Sequence, residues 1–268
     1  MKQLSILGCG WLGLPLAKTF ISKGYSVKGS TTSSSKLHTL QNAGIIPFHF
    51  ELPDSSIDPS FFESDYLVIN IPPRTRSKGP DAHFSEIISL IPQIPSQIKV
   101  IYISATSVYP DIDEKITEEN EVDRNSDRSK ALWQVEELLK SKLADQLTII
   151  RMGGLLGYDR IPGKYFSGKK VENGGQKVNY IHRDDAVGLI IKVVEEESFD
   201  ELYNGVAPLH PTREEVFLQN AKELGFMPPE FDEKPSTLTQ RFISGAKIEH
   251  KLDYSFLYPD PLSFYYSN

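Results

Sequence analysis

The chain has 268 residues, of which 39% are hydrophobic and 24% charged, so it can bury one large core or a core with a small lobe. Its 29 Lys and Arg against 36 Asp and Glu give a net charge of -7, which argues against a nucleic-acid partner held by general electrostatics. One cysteine excludes an internal disulfide, and the six histidines lack the close pairing typical of zinc sites, so we predict no metal.

Two further features bear on the expected location of the protein. No apolar run approaches the ~18 residues needed to cross a bilayer. The start of the sequence lacks the charged segment and long apolar stretch of a signal peptide. We therefore expect a cytoplasmic protein with no membrane partner.

The first predicted elements are a strand, a glycine turn and a helix. Gly8, Gly10 and Gly13 follow an apolar run in the spacing G-x-G-x-x-G and open an apolar helical pattern. In this spacing the first glycine permits a tight turn, the second lets the backbone approach a pyrophosphate, and the third lets the helix pack on its strand. The sequence predicts a dinucleotide-binding loop that includes Trp11 and Leu12, with a purely structural glycine turn as the alternative.

Hydroxyl and ammonium groups follow the second predicted strand. The acidic residue that holds the ribose hydroxyls in NAD-binding folds is absent there. Between Lys28 and Lys36 the chain instead carries a run of hydroxyls that includes Ser30, Thr31 and Thr32, which suits a 2′-phosphate better than a free ribose. We predict a preference for NADP over NAD, with a helix N-cap as the alternative role of the serines.

Strands and helices alternate through the first 152 residues. Further strands are predicted at 45–50, 66–71, 98–104 and 146–152, and further helices at 37–43, 81–91 and 126–143. This alternation predicts an α/β fold with a doubly wound parallel sheet. We expect Glu51, Leu52 and Ile71 to line the cofactor site, although Glu51 could also simply end a strand.

The composition changes near residue 154. We expect an NAD(P)-binding Rossmann domain over 1–154 and a smaller substrate-binding region over 155–268. A basic segment from Arg74 to Gly79 would be either a phosphate clamp or a solvated loop.

Several motifs beyond the glycine loop resemble one family. They are residues 102–109 (Tyr-Ile-Ser-Ala-Thr-Ser-Val-Tyr), 128–130 (Arg-Ser-Lys), 150–151 with 156–157, 178–185 (Val-Asn-Tyr-Ile-His-Arg-Asp-Asp) and 203–204. Together they resemble the extended short-chain dehydrogenase/reductases, in particular the atypical branch of NAD-dependent epimerase/dehydratase-like proteins. The resemblance covers essentially the whole chain and implies a Rossmann fold and a nicotinamide cofactor. It also implies that the second region is interleaved with the first, because residues 179–204 would return to the core.

The resemblance also implies catalytic positions, and two of them are altered. The family uses a Tyr-x-x-x-Lys pair on the long helix, in which the lysine and the cofactor ribose lower the pKa of the phenol so that it shuttles a proton. Lys130 fits the lysine position, but Ser126 stands at the tyrosine position. The place of the substrate-binding Ser or Thr falls on Ala105, with Thr106 and Ser107 next to it. We predict Lys130, Thr106 and Ser107 as the catalytic candidates, with Lys130 also binding the nicotinamide ribose.

Two functions remain open at this point. The first is an NAD(P)-dependent oxidoreductase, epimerase or dehydratase acting on a small polar metabolite or a nucleotide sugar. Its missing proton donor would be replaced by Tyr109, Tyr165, Tyr180 or His182, although His182 beside two aspartates is more typical of a structural residue. The second is an NADP-sensing regulatory or scaffold protein without catalysis. A homodimer is compatible with either function.

Overall fold

The computed structural model describes residues 1–53, 56–73, 75–79, 81–232 and 240–267, with the side chains of all of these except residues 75, 76 and 128. The strands are β1 (Gln3–Leu7), β2 (Ser26–Thr31), β3 (Ile46–His49), β4 (Tyr66–Ile69), β5 (Lys99–Ala105), β6 (Lys115–Ile116), β7 (Leu147–Met152), β8 (Gly154–Leu156), β9 (Lys170–Val171), β10 (Tyr180–His182), β11 (Glu201–Gly205), β12 (Glu230–Phe231) and β13 (Phe242–Ile243). The helices are α1 (Gly13–Ser22), α2 (Leu37–Asn42), α3 (Thr75–Lys78), α4 (Ala82–Leu90), α5 (Asp127–Leu143), α6 (Arg183–Glu195), α7 (Arg213–Leu224) and α8 (Ala246–Lys251).

Seven of the strands form one sheet in the order β11-β7-β5-β4-β1-β2-β3. The pairs β1–β2, β1–β4, β2–β3 and β4–β5 are all parallel. Strand β1 pairs with β2 on one side and β4 on the other, so the strand order reverses at β1. The predicted α/β fold with a doubly wound parallel sheet is confirmed, and such a reversal is where ligands bind in these folds.

The chain divides into two compact units. Unit 1 comprises residues 1–108, 122–151 and 190–202, and unit 2 comprises 109–121, 152–189 and 203–268. The core of unit 1 is made of side chains from the sheet and its covering helices, among them Leu67, Val100 and Val135. Strands β1, β4 and β7 are buried at nearly every position, so both of their faces are covered, which explains their continuous apolar runs.

The division differs in detail from the expected one. Unit 1 ends its second segment at residue 151, close to the expected boundary at 154, but the later segment that belongs to unit 1 is 190–202 rather than 179–204. Unit 2 contains three short parallel pairs, β8–β10, β9–β12 and β6–β13. Within the described ranges, no helix is both long enough and apolar enough to cross a bilayer.

Candidate functional site

The glycine loop lies at the carboxyl ends of β1 and β4. Gly8 has φ +99°, and a Cβ there would lie 2.7 Å from the carbonyl oxygen of Asn70. The Asn70 side chain donates a hydrogen bond to the Gly8 carbonyl at 3.2 Å, and its amide donates to the Leu7 carbonyl at 2.9 Å. The loop is therefore fixed between the ends of two neighbouring strands, and only glycine fits at position 8.

The other two glycines of the loop differ in what surrounds them. A Cβ on Gly13 would lie 2.3 Å from the Gly8 carbonyl oxygen, so close packing of helix on turn requires this glycine. A Cβ on Gly10 would meet nothing within 4 Å, and its backbone does not adopt a positive φ. The fold therefore does not require glycine at position 10. The absence of a side chain there leaves open space next to the loop backbone, which a ligand could approach closely.

Helix α1 starts beside this open space, and no acidic side chain of its own first turn compensates the positive end of the helix dipole. Leu12 is its N-cap residue and makes no side-chain capping bond, and the first turn contains no acidic residue. The first amides of a helix lack intrahelical acceptors and favour an anion. The Leu12 side chain is buried, so this residue would contact a ligand through its backbone, and Trp11 is half-buried. Cys9 is buried, and burial raises the pKa of its thiol to about 12.

Some of the hydroxyl-bearing residues between Lys28 and Lys36 form hydrogen bonds within the protein and stabilise its fold. The Gly8 amide donates to the Ser30 hydroxyl at 2.9 Å, and the Cys9 amide donates to the Ser30 carbonyl at 2.9 Å, so Ser30 braces the glycine loop. Thr31 is buried, and its hydroxyl accepts from the Ser33 amide at 3.2 Å. Lys28 is buried on β2 and donates to the carbonyls of Ser60 and Glu63, so its ammonium does not flank the other hydroxyls as expected. Thr32 and Lys36 are exposed.

The remaining cofactor candidates lie at the ends of neighbouring strands. Leu52 is buried, and Ile71 packs against Gly8. Glu51 is exposed and forms an ion pair with Lys78 at 2.9 Å, and Lys78 also pairs with Glu86 at 3.0 Å. Lys78 is thus held by two carboxylates and is a poor phosphate clamp, and Arg74, the first residue of that predicted basic segment, lies outside the described residues.

The start of helix α5 explains why position 126 holds a serine and not the tyrosine of the family motif. Ser126 is the N-cap of the helix, with extended backbone angles (φ -81°, ψ 140°), and its hydroxyl accepts from the Ser129 amide. Position 126 therefore lies outside the helical turn on which a Tyr-x-x-x-Lys pair depends. Ser129 is buried and its hydroxyl contacts the Val108 carbonyl at 2.8 Å, which joins the helix start to the turn after β5. Lys130 is exposed in the first turn.

The turn after β5 holds the other two catalytic candidates. Thr106 and Ser107 lie in a short 3-10 turn, residues 106–108, and Thr106 is buried. The Ser107 hydroxyl oxygen is buried and has no hydrogen-bond partner among the residues that the structure describes. Buried polar groups are normally paired, so this hydroxyl is available to a ligand oxygen.

Two of the four substitute proton donors are engaged within unit 2. The buried Tyr109 donates to the Asn204 side chain at 2.9 Å. His182 is buried, its Nε2 lies 3.1 Å from the Tyr265 carbonyl, and its Nδ1 accepts from the Asp184 amide at 3.2 Å. Since Nδ1 accepts, the ring is neutral with its proton on Nε2, which is the structural role expected for His182. Tyr165 is exposed, and Tyr180 is half-buried.

One buried cluster of unit 1 is not anticipated from the sequence. Glu136 on α5 accepts from Arg151 on β7, at 2.6 Å from Nη2 and at 3.1 and 3.2 Å from Nε, and from the Ser104 hydroxyl on β5 at 2.6 Å. Through Arg151 and Ser104, Glu136 ties the long helix to strands β7 and β5. A signal was present, because Glu136 falls on the apolar stripe of the helix between Leu132 and Leu139.

Comparison with known proteins relates the whole chain to characterised folds. No protein-family model matches it. The Escherichia coli K12 protein YeeZ is 30% identical over 272 residues, which cover 98% of each chain. The UDP-glucose 4-epimerase of Bifidobacterium longum, solved with NAD+ and UDP, has a TM-score of 0.77 at 17% identity over 98% of this chain and 96% of that one. The dTDP-glucose 4,6-dehydratase of Bacillus anthracis, solved with NAD, has a TM-score of 0.78 at 16% identity over 98% and 94%.

The similarity to YeeZ spans nearly all of both chains, and the two solved structures match nearly all of this chain in fold. The chain therefore belongs to the same family as Escherichia coli YeeZ, and its fold is that of the extended short-chain dehydrogenase/reductases.

Proposed function

We propose that the chain binds a nicotinamide dinucleotide at the glycine loop and is an oxidoreductase, epimerase or dehydratase-type enzyme for a small polar metabolite or nucleotide sugar. The observation that carries the proposal is Gly10, whose missing side chain serves no packing need and keeps open the space beside the uncapped start of α1. A pyrophosphate fits this cradle because it needs close backbone approach and helix amides.

In this proposal, different residues of unit 1 bind the cofactor and the substrate. The amides at the start of α1 hold the pyrophosphate, and Lys130 binds the nicotinamide ribose. The unpartnered Ser107 hydroxyl is the better placed of the two candidates to hold a substrate oxygen, since it has a free bond to offer. The cofactor supplies the hydride chemistry when bound. With no phenol at position 126, the proton comes from another group, and the bonds made by Tyr109 and His182 disfavour both.

The NADP preference rests on fewer groups than the sequence indicates. Lys28 and Ser30 are occupied elsewhere, which leaves the exposed Thr32 and Lys36 to meet a 2′-phosphate. Replacing both should weaken NADPH binding by roughly tenfold and leave NADH binding unchanged, because only the phosphate contacts are lost. Equal affinities for the two cofactors in the unaltered chain would contradict the preference.

The binding proposal is tested by exchanging glycines of the same loop. Gly10→Ala should weaken dinucleotide binding by tenfold or more, an order-of-magnitude estimate for lost close approach, while the melting temperature stays unchanged. Gly13→Ala, the matched control, should lower stability by roughly 2 kcal/mol, because its Cβ collides with backbone. Calorimetric titration and thermal melts separate the two effects. If Gly10→Ala binds normally, the loop is only a structural turn.

Turnover decides between the two functions. NADPH and NADH consumption is measured across carbonyl compounds, and epimerisation or dehydration across nucleotide sugars. The enzyme proposal expects turnover that falls at least tenfold in Ser107→Ala, as is usual for a lost transition-state hydrogen bond. Tight cofactor binding with no turnover on any compound would favour the NADP-sensing protein instead.

A further inference from the structure

Unit 2 contains a cavity of about 460 Å³, and all the residues that line it belong to that unit. Small-molecule sites typically measure ~300–1,000 Å³ and combine apolar walls with a few polar groups. Here the lining combines Phe166, Phe217 and Tyr180 with the cations Lys170 and Arg213. The cavity thus has the size and the mixed chemistry of a ligand site.

The apolar wall presents a supported aromatic ring. Phe166 and Phe217 stack with their ring centroids 5.2 Å apart and their planes at 18°. Phe217 is buried in a cluster with Val171 and Val216, whereas Phe166 remains 39% exposed. The core therefore holds the orientation of Phe166 while part of its ring stays open to a planar apolar group.

The polar wall presents an oriented positive charge. The Arg213 guanidinium donates to the Glu172 carbonyl at 3.1 Å and to the Gln176 side-chain oxygen at 2.9 Å, both neutral acceptors. Among the described residues no carboxylate oxygen lies within 4 Å of its guanidinium nitrogens, so its charge is not neutralised by an ion pair. Lys170 adds a second cation and the Glu172 carboxylate one negative charge, which leaves the lining net positive. An Arg held by neutral acceptors is well suited to bind an anion.

We propose that this cavity binds a small molecule in which a planar aromatic ring carries an anionic group, with the ring against Phe166 and the anion at Arg213. The nearby Tyr180 hydroxyl, which makes no hydrogen bond to the described residues, offers a third contact. The inference uses residues of unit 2 alone and does not depend on dinucleotide binding by unit 1. The anion is a phosphate or a carboxylate, which the probes distinguish.

The test is calorimetric or NMR titration of the full chain with phenyl phosphate and with phenylacetate, and with inorganic phosphate and benzyl alcohol as partial ligands. At least one aromatic anion should bind roughly tenfold more tightly than either partial ligand, because both walls are engaged. The aromatic anion that binds more tightly shows whether the site prefers a phosphate or a carboxylate. If neither aromatic anion binds better than the partial ligands, the proposal is wrong.

Substitutions of the lining residues test whether the aromatic anion binds in this cavity. Arg213→Gln should weaken the aromatic anion about tenfold and leave benzyl alcohol unaffected, whereas Phe166→Ala should weaken both. Lys164→Gln, which removes an exposed charge of the same unit outside the cavity lining, should change nothing. Because Arg213 also supports its own loop, Lys170→Gln provides a second charge variant, with a smaller expected loss of affinity. Unchanged affinity in both charge variants, with normal melting temperatures and dinucleotide binding, would overturn the assignment.

Discussion

His182 shows how a residue with catalytic chemistry is used for stability. Its ring is buried against Tyr258, with ring centroids 3.9 Å apart, and burial lowers its pKa. An unfolded histidine takes up a proton near pH ~6.5, whereas the folded ring resists protonation. The unfolded chain therefore binds more protons as the pH falls, so the stability due to this neutral ring is present above that pH and lost below it.

We expect the melting temperature to fall between pH 7 and pH 5 and the fall to be shallower in His182→Gln. The half-buried His210, whose pKa is also lowered by desolvation, titrates in the same direction and keeps part of the slope. His38→Gln, the same exchange at an exposed position, serves as the control for the substitution itself. An identical slope in His182→Gln would refute a neutral, buried role for this histidine.

Single residues were the hardest feature to predict from the sequence. The run from Lys28 to Lys36 has the right composition for a phosphate site, but composition does not say which face of β2 each side chain occupies. Lys28 turns toward the carbonyls of Ser60 and Glu63, and Ser30 turns toward the glycine loop. Both orientations depend on segments far along the chain or across the turn. The spacing of the glycines, in contrast, is a local constraint and could be interpreted directly.

The start of helix α5 depends on Ser126. The capping bond to the Ser129 amide satisfies one of the helix's unpaired donors. Ser126→Ala should therefore destabilise the protein by about 1 kcal/mol, and Ser126→Asp, which caps equally well, should not. Denaturant unfolding measures both. Because position 126 is a cap and not part of a proton shuttle, turnover should be the same in the two variants. Loss of turnover in Ser126→Asp would contradict this assignment.

The attachment of α5 to the sheet depends on the buried Glu136–Arg151 pair. Glu136→Gln removes the charge that compensates Arg151, which is only 2% exposed. We therefore expect the free energy of unfolding to fall by about 3 kcal/mol or more. The neighbouring Glu137 forms an exposed pair with Lys140 at 3.2 Å, and Glu137→Gln should cost less than about 1 kcal/mol. The two adjacent positions thus form a matched comparison. Similar losses at both would mean that the buried pair is not what holds the helix.

The main elements were predictable because their signals are local. Apolar runs marked the buried strands to within about two residues. Gly24 and Gly44, both with positive φ, follow the ends of α1 and α2, where glycine is a local signal for the end of a helix. The pairs β6–β13, β8–β10 and β9–β12 could not be foreseen. Each has strands of two or three residues whose partners lie tens of residues away or more, so tertiary packing decides the pairing.

The chain does not complete one unit before it begins the other. The chain passes between the two units five times, after residues 108, 121, 151, 189 and 202, and β7, α6 and β11 each contain such a crossing. Composition located the change near residue 154 but could not show that 190–202 complete the first unit. The resemblance to a family with an interleaved second region supplied that expectation.

This path predicts that the first 154 residues do not form an independent domain. A fragment of residues 1–154 lacks β11, which leaves β7 as an unpaired edge, and lacks the Ser198 carbonyl that accepts from the buried Thr148 at 3.0 Å. It also lacks Glu197, which binds Lys2 and Tyr66. Unpaired edges and unsatisfied buried groups should prevent cooperative folding. We expect the fragment to melt without a sharp transition and to bind NADPH far more weakly than the full chain. A cooperative melt with affinity within about threefold of the full chain, a difference of less than 1 kcal/mol, would show that residues 1–154 fold alone.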